Sequence, residues 1–279
     1  MTQILFLLAY ACSGLAGLVY EVSWTRLMTL EMGRGIAASS TVLAAFMGGL
    51  ALGAALSGRW AGSLSASRAL RVYAALELSV AVLAVALPFE LRALTPVFAA
   101  TYRDGAGGVT FGLVRVIVSI ALLLLPAMAL GATFPVAIRW FASERQQASR
   151  LAGRLYAANT VGAAVGSVLA GFILLPAIGV LGTLMTGAVA SLAAAAAALV
   201  LSTKQTAIDA VIASQAPTTG QSARAPRAQG KSRTDRLRPE RSRGVVSQEE
   251  SPRPWLAAAL LAITGAATFS AEVAWTRVF

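Results

Sequence analysis

The sequence predicts an all-α protein, a polytopic bundle of membrane-spanning helices. Hydrophobic residues make up 57% of the 279 residues, and only 13% are charged, whereas an ordinary soluble domain carries about 25% charged residues. The mean hydropathy is +0.71. The apolar residues form runs of about the 20 residues that a spanning helix requires. The net positive charge lies in alternate loops between these runs, as in multi-pass membrane proteins.

Seven apolar runs are long enough to cross a bilayer, six before a long polar stretch and one after it. We expect Pro88 to end the third run, and Pro126 and Pro135 to bend the fourth. Only residues 176–179 separate the fifth run from the sixth. The predicted spans are 4–20, 36–56, 69–87, 111–138, 155–175, 179–201 and 255–272.

The net positive charge is confined to every second loop. Residues 58–71 and 139–154 each carry a net charge of +3, and residues 202–254 carry +5. These three segments account for the whole formal net charge of +11. Because basic loops stay in the cytoplasm, the pattern predicts a cytoplasmic N-terminus and a cytoplasmic 202–254 segment. The charge therefore reports topology, and we predict no nucleic-acid partner.

The chain divides by composition into three parts. Residues 1–201 form the predicted six-span membrane domain, and residues 255–279 form one further span. Between them, residues 202–254 are rich in Ser, Arg, Gln, Pro and Thr and contain few large apolar side chains. Such a segment cannot bury enough surface to fold alone, so we predict a disordered basic linker.

One motif occurs twice. Ser13–Met28 reads SGLAGLVYEVSWTRLM, and Thr264–Phe279 reads TGAATFSAEVAWTRVF, an alignment without gaps. Glycine, Glu-Val and Trp-Thr-Arg recur at matching positions. The repeat predicts that each copy is the first helix of one of two related halves. The second half is then represented only by its first helix, which predicts a truncated repeat.

Ionisable residues within the spans are candidates for a substrate site, because each costs on the order of 3 kcal/mol to insert. Glu77 lies inside the third run and Arg115 near the outer end of the fourth, while Glu21 and Glu272 end the two repeat copies. One hypothesis is that Glu21, Glu77 and Glu272 line a cavity that binds a small cation. The alternative is structural: Glu21 pairs with Arg26 or Arg115, and Glu77 is a neutral acid hydrogen-bonded to a neighbouring helix.

Other residues suit packing and anchoring. Trp24 and Arg26, with Trp275 and Arg277 in the second copy, are predicted interface anchors, since Trp gathers at the headgroup level. Asn159, which opens the fifth run, is predicted either to bond across helices or to contact substrate. The predicted helix-packing glycines, which form small-xxx-small pairs, are Gly49, Gly53, Gly162 and Gly166.

The sequence lacks the residues that several kinds of catalytic, metal-binding and disulfide chemistry require. The chain contains no histidine and one cysteine, Cys12, which excludes histidine-based triads, histidine metal sites and disulfide frameworks. No Gly-rich phosphate loop lies between a strand and a helix. We therefore predict no catalytic residue, no metal ligand and no cofactor site within the chain.

The motifs in sequence order resemble the membrane portion of the fused major-facilitator-like/spermidine synthase family. They are the two EVxWTR copies, residues 42–61, YAALELSVAV (73–82), LPAMALGATFPVAIR (125–139) and residues 153–179. The resemblance implies a major-facilitator-like six-helix half followed by the first helix of a second half. It also implies a spermidine synthase-like domain downstream, an aminopropyltransferase that uses decarboxylated S-adenosylmethionine. No part of the chain matches that domain.

We expect an integral membrane module of such a fusion protein, tied to polyamine metabolism in a bacterial inner (plasma) membrane. Its partners would be the lipid bilayer, the missing C-terminal half of the same protein and a small cation such as a polyamine. Two alternatives stay open: the half of a major-facilitator-type small-molecule transporter, or a non-functional gene fragment.

Overall fold

The structure, a computed structural model, describes residues 2–32, 36–102, 108–141 and 148–215. This part of the chain is all-α and contains no strand. A 3-10 turn at Ala61–Ser63 follows α2, and a π-helical segment at Leu169–Leu174 joins α6 to α7. The helices are α1 (Thr2–Met32), α2 (Ile36–Trp60), α3 (Ala66–Ala93), α4 (Thr95–Thr101), α5 (Val109–Phe141), α6 (Ala148–Val168) and α7 (Leu175–Gln215).

The described residues contain five helical segments long and apolar enough to cross a membrane, which makes this a multi-pass membrane protein. Four of them correspond to the first four predicted spans. The fifth runs from Arg150 to Val211, 62 residues. At about 1.5 Å per residue a straight helix of that length would measure about 93 Å, some three times the ~30 Å hydrocarbon thickness.

A break at Gly179 resolves this excess length. Its φ of 69° and ψ of −176° are not helical, and a positive φ is readily adopted only by glycine. Before the break α6 runs parallel to α1, because Gly162 contacts Ala11 and Gly166 contacts Leu15. After the break α7 runs back along the bundle. The fifth and sixth predicted spans are therefore two passes joined by a very short reversal.

Two apolar clusters show the direction of every pass. The proximal cluster, which contains the start of α1, includes residues from the starts of α3 and α6 and from the ends of α5 and α7: Phe6, Tyr73, Leu155, Phe141 and Leu201. The distal cluster combines the second half of α1 with the starts of α2 and α7 and the end of α3: Trp24, Phe46, Leu184 and Leu87. The six long segments therefore alternate in direction, and the described basic residues at the helix ends of this side, among them Arg59, Arg71, Arg139 and Arg154, adjoin the proximal end.

Two helix pairs approach closely through glycine. In the α2/α5 pair, Gly49 and Gly53 lie against the α5 backbone near Met128, and Gly131 lies against the Leu50 backbone. In the α1/α6 pair, Gly162 and Gly166 lie against the backbone of α1. A side chain at any of these positions would overlap the neighbouring helix. All four predicted packing glycines are thus at helix contacts.

Many hydroxyl groups hydrogen-bond within their own helix. Ser23 donates to the Val19 carbonyl at 2.7 Å, and Thr29 donates to the Thr25 carbonyl at 2.7 Å. Ser79 and Thr186 do the same at 2.7 and 3.0 Å. Such bonds satisfy a buried hydroxyl without a partner from another helix.

Two predicted boundaries differ from the structure. Pro88 does not end the third span, because α3 continues through it to Ala93. Proline is tolerated inside membrane helices where neighbouring groups satisfy the freed carbonyl. The last helix continues beyond Leu201 to Gln215, so the first part of the predicted linker is helical. There Gln205 Nε2 donates to Asp209 Oδ1 at 3.0 Å, one turn along. The rest of the linker and residues 255–279 lie outside the described residues.

Candidate functional site

Polar side chains gather around Glu77, where the proximal and distal clusters meet along α1, α3 and α7. Glu77 lies eleven residues into α3, which at about 1.5 Å per residue is ~17 Å from the start of the helix. This depth is about half the thickness of a bilayer core. Glu77 is fully buried, and the hydroxyl groups of Ser13, Tyr73 and Ser191 face its carboxyl from α1, α3 and α7. We call these four residues the polar layer.

The polar layer is incompletely paired. None of the surrounding hydroxyls has hydrogen-bond geometry to Glu77, and neither carboxyl oxygen has a partner. The Tyr73 hydroxyl is also buried without a partner. Ser191 Oγ accepts a long bond, 3.4 Å, from the hydroxyl of Tyr20. A buried polar group without a partner is costly, on the order of 1–3 kcal/mol, so it marks a place where another group is expected.

A cavity of about 250 Å³ adjoins this layer. Four of the long helices line it: α1, α2, α5 and α6. Its polar groups come from Tyr10, Ser13, Thr133, Tyr156 and Asn159, and the rest of its wall is apolar. Ser13 lines the cavity and also faces the Glu77 carboxyl. A single hydroxyl therefore lies between the cavity and the buried acid.

Asn159 has two separate contacts in this region. Its side chain lines the cavity, and its backbone carbonyl lies against Gly14. A Cβ at Gly14 would overlap that carbonyl, so the glycine permits α1 and α6 to meet here. The position of Asn159 therefore suits contact with a bound molecule, while the helix contact is made by its backbone.

Arg115 lies in a different place. Its guanidinium carbon is 5.0 Å from the centre of the Phe111 ring, a cation–π contact on α5. It lines a second cavity of about 330 Å³ with residues of α4, among them Thr95 and Phe98. The structure therefore does not bring Arg115 into the cavity beside Asn159 and the polar layer.

The end of α1 differs from an interface anchor. Arg26 is exposed, but Trp24 is completely buried in the distal cluster and stacks on Tyr20 with ring centroids 5.7 Å apart. The apolar area of the indole explains this, because the ring packs against Phe46 as well. Glu21 is partly buried and does not line the cavity. Glu272, Trp275 and Arg277 lie outside the described residues.

Sequence reasoning missed three members of the site. Tyr73 lies four residues before Glu77, so both occupy one face of α3, a spacing that could have identified it. Ser13 opens the first motif copy and aligns with Thr264, another hydroxyl residue. Ser191 gave no signal, because it lies in an alanine-rich run like any small residue. Among the described residues no group of three or more His, Cys, Asp or Glu could hold a metal ion.

Comparison of the chain with protein-family models, with curated proteins and with solved structures gives no match. The fold and the site therefore define the class, a multi-pass α-helical membrane protein with a buried acid beside a central cavity.

Proposed function

We propose that the chain is a membrane module that binds a small organic cation in the cavity between α1, α2, α5 and α6. The carrying observation is Glu77, a fully buried carboxyl group with no hydrogen-bond partner beside that cavity. Buried acids in membrane helices pair with another group or mark a substrate path. A cationic ligand would supply the positive partner that the Glu77 carboxyl group lacks among the described residues.

The shape of the cavity agrees with a small ligand. Drug-sized ligands occupy pockets of about 300–1,000 Å³ that are mostly apolar with a few polar groups. The cavity here measures about 250 Å³, and hydroxyl and amide groups interrupt its apolar wall. An alkyl chain that carries amines fits this combination, and the resemblance to the spermidine synthase-fused family suggests a polyamine.

A major-facilitator-type architecture is part of the proposal. Six passes of alternating direction, a cavity on one face of the bundle, and a second copy of the α1 motif all support the half of a two-half transporter. The basic loops at the proximal end support a cytoplasmic location for that end and for the 202–254 segment, in a bacterial inner membrane.

A second candidate is a module that anchors a synthase-like domain without moving substrate itself. The resemblance alone favours it. Aminopropyl transfer and decarboxylated S-adenosylmethionine would belong to that domain, and the membrane residues described here take no part in the chemistry.

Binding of spermidine to the purified chain in lipid nanodiscs, measured by titration calorimetry, tests the proposal. Removing one member of a buried charge pair typically costs 3–5 kcal/mol, so Glu77→Gln should weaken binding at least about a hundredfold. Glu90→Gln is the matched control, since Glu90 lies on the same helix outside the cavity. Equal affinity in both variants and the unchanged chain would refute the role of Glu77.

A further inference from the structure

We propose that Glu77 holds a proton while the cavity is empty and releases it when the cation binds, so that binding exchanges one proton for one cation. The inference rests on the proposed function and adds the coupling ion. It is carried by the position of the carboxyl, enclosed by hydroxyl groups and connected to the cavity through Ser13.

The surroundings of Glu77 stabilise the neutral acid. Among the described residues, the titratable groups that interact with it are Tyr10, Cys12 and Tyr20 of α1 and Tyr73 of α3, which are hydroxyls and a thiol. From α7 it is faced by the hydroxyl of Ser191. Uncharged neighbours do not balance a carboxylate, and an isolated buried charge is far costlier than a buried neutral acid. A bound cation next to Glu77 stabilises the carboxylate instead, so the acid then releases its proton.

Ser13 provides the route for the proton. Rotation of the Ser13 side chain, which faces the carboxyl, lets its hydroxyl accept a hydrogen bond from the protonated Glu77 and donate its own proton toward the cavity. Breaking the Glu77 O–H bond leaves the carboxylate, and the proton passes through Ser13 to water in the cavity. One ammonium group of the ligand takes the place of the proton as the partner of the Glu77 carboxylate, so the charge at Glu77 is balanced before and after binding.

The amino-acid composition of the chain allows proton release from Glu77 to be measured near pH 6. The chain contains no histidine, the side chain whose ordinary pKa of about 6.5 would otherwise dominate titration near neutrality. Alkylamines, with an ordinary pKa near 10, stay protonated between pH 5.5 and 6.5. A proton that is released in this window on spermidine binding, and is not released by the Glu77→Gln variant, therefore comes from the Glu77 carboxyl group.

The experiment is spermidine titration of the full chain in nanodiscs at pH 5.5 and 6.5. If binding releases one proton, apparent affinity rises about tenfold over this unit of pH. Glu77→Gln should bind weakly with no pH dependence. Ser13→Ala should keep the tenfold change but release the proton more slowly in stopped-flow measurements with a pH indicator. Binding with the same affinity at both pH values overturns the exchange and leaves the proposed function standing. Absence of spermidine binding at either pH overturns both.

Discussion

Replacement of Gly53 by alanine tests the close packing of α2 on α5. An added Cβ would overlap the Met128 carbonyl oxygen and lie 2.7 Å from its carbonyl carbon and 2.9 Å from its Cα. Ordinary carbon–carbon contacts are about 3.5–4.0 Å, so the two backbones must separate locally by about 1 Å. A gap of 0.5–1 Å already forfeits a quarter to a half of each contact's dispersion energy. Overpacking of this kind costs about 1–3 kcal/mol.

Gly48→Ala is the matched control. Gly48 is on the same helix, and an added Cβ there would meet nothing within 4 Å. Both substitutions gain the same helix propensity, about 1 kcal/mol, so the difference between the variants isolates packing. We expect Gly53→Ala to be less stable than Gly48→Ala by about 1–3 kcal/mol.

The assay is unfolding in mixed micelles with increasing dodecyl sulfate, followed by tryptophan fluorescence of the full chain. The free energies of unfolding of the two variants are compared directly. Agreement within about 0.5 kcal/mol, the range of a neutral surface change, would refute the close α2/α5 approach.

Two further predictions concern the end of α1 and the membrane topology. Trp24→Ala should cost about 3–5 kcal/mol in the same unfolding assay, whereas Trp24→Phe should cost less than half as much, because phenylalanine keeps an aromatic ring against Tyr20 and Phe46; equal costs would contradict this ring packing. Reporter fusions at positions 107 and 229 should report opposite sides of the membrane, because an odd number of passes separates them, and a common side would contradict six passes before the linker.

The helical class and the spans followed from the sequence because hydropathy is a strong local signal over 20 residues. Which helices pack against each other was harder to predict from the sequence. The glycines of α2 and α6 indicated close contacts, but nothing local indicated that their partners are α5 and α1. These partners depend on how the whole bundle closes.

The candidate site was predictable only in part. Glu77 was identifiable because an acid inside an apolar run is rare. The hydroxyls that surround it come from three different helices, and serine in such helices commonly bonds to its own backbone. Arg115 was grouped with Glu77 by chemistry, but the two occupy separate parts of the bundle.

The serine and threonine hydroxyls that hydrogen-bond within their own helix affect how the protein inserts into the membrane. A helix whose serines and threonines are satisfied by its own carbonyls can leave the translocon and enter lipid singly, before its neighbours exist. The acid on α3 has no such internal partner, so this segment enters the bilayer at a cost on the order of 3 kcal/mol, offset by its many apolar residues. Since Ser191 belongs to α7, the acid acquires its last neighbour only when that late helix is synthesised. Assembly of the bundle is therefore completed around Glu77 by the final pass of this domain.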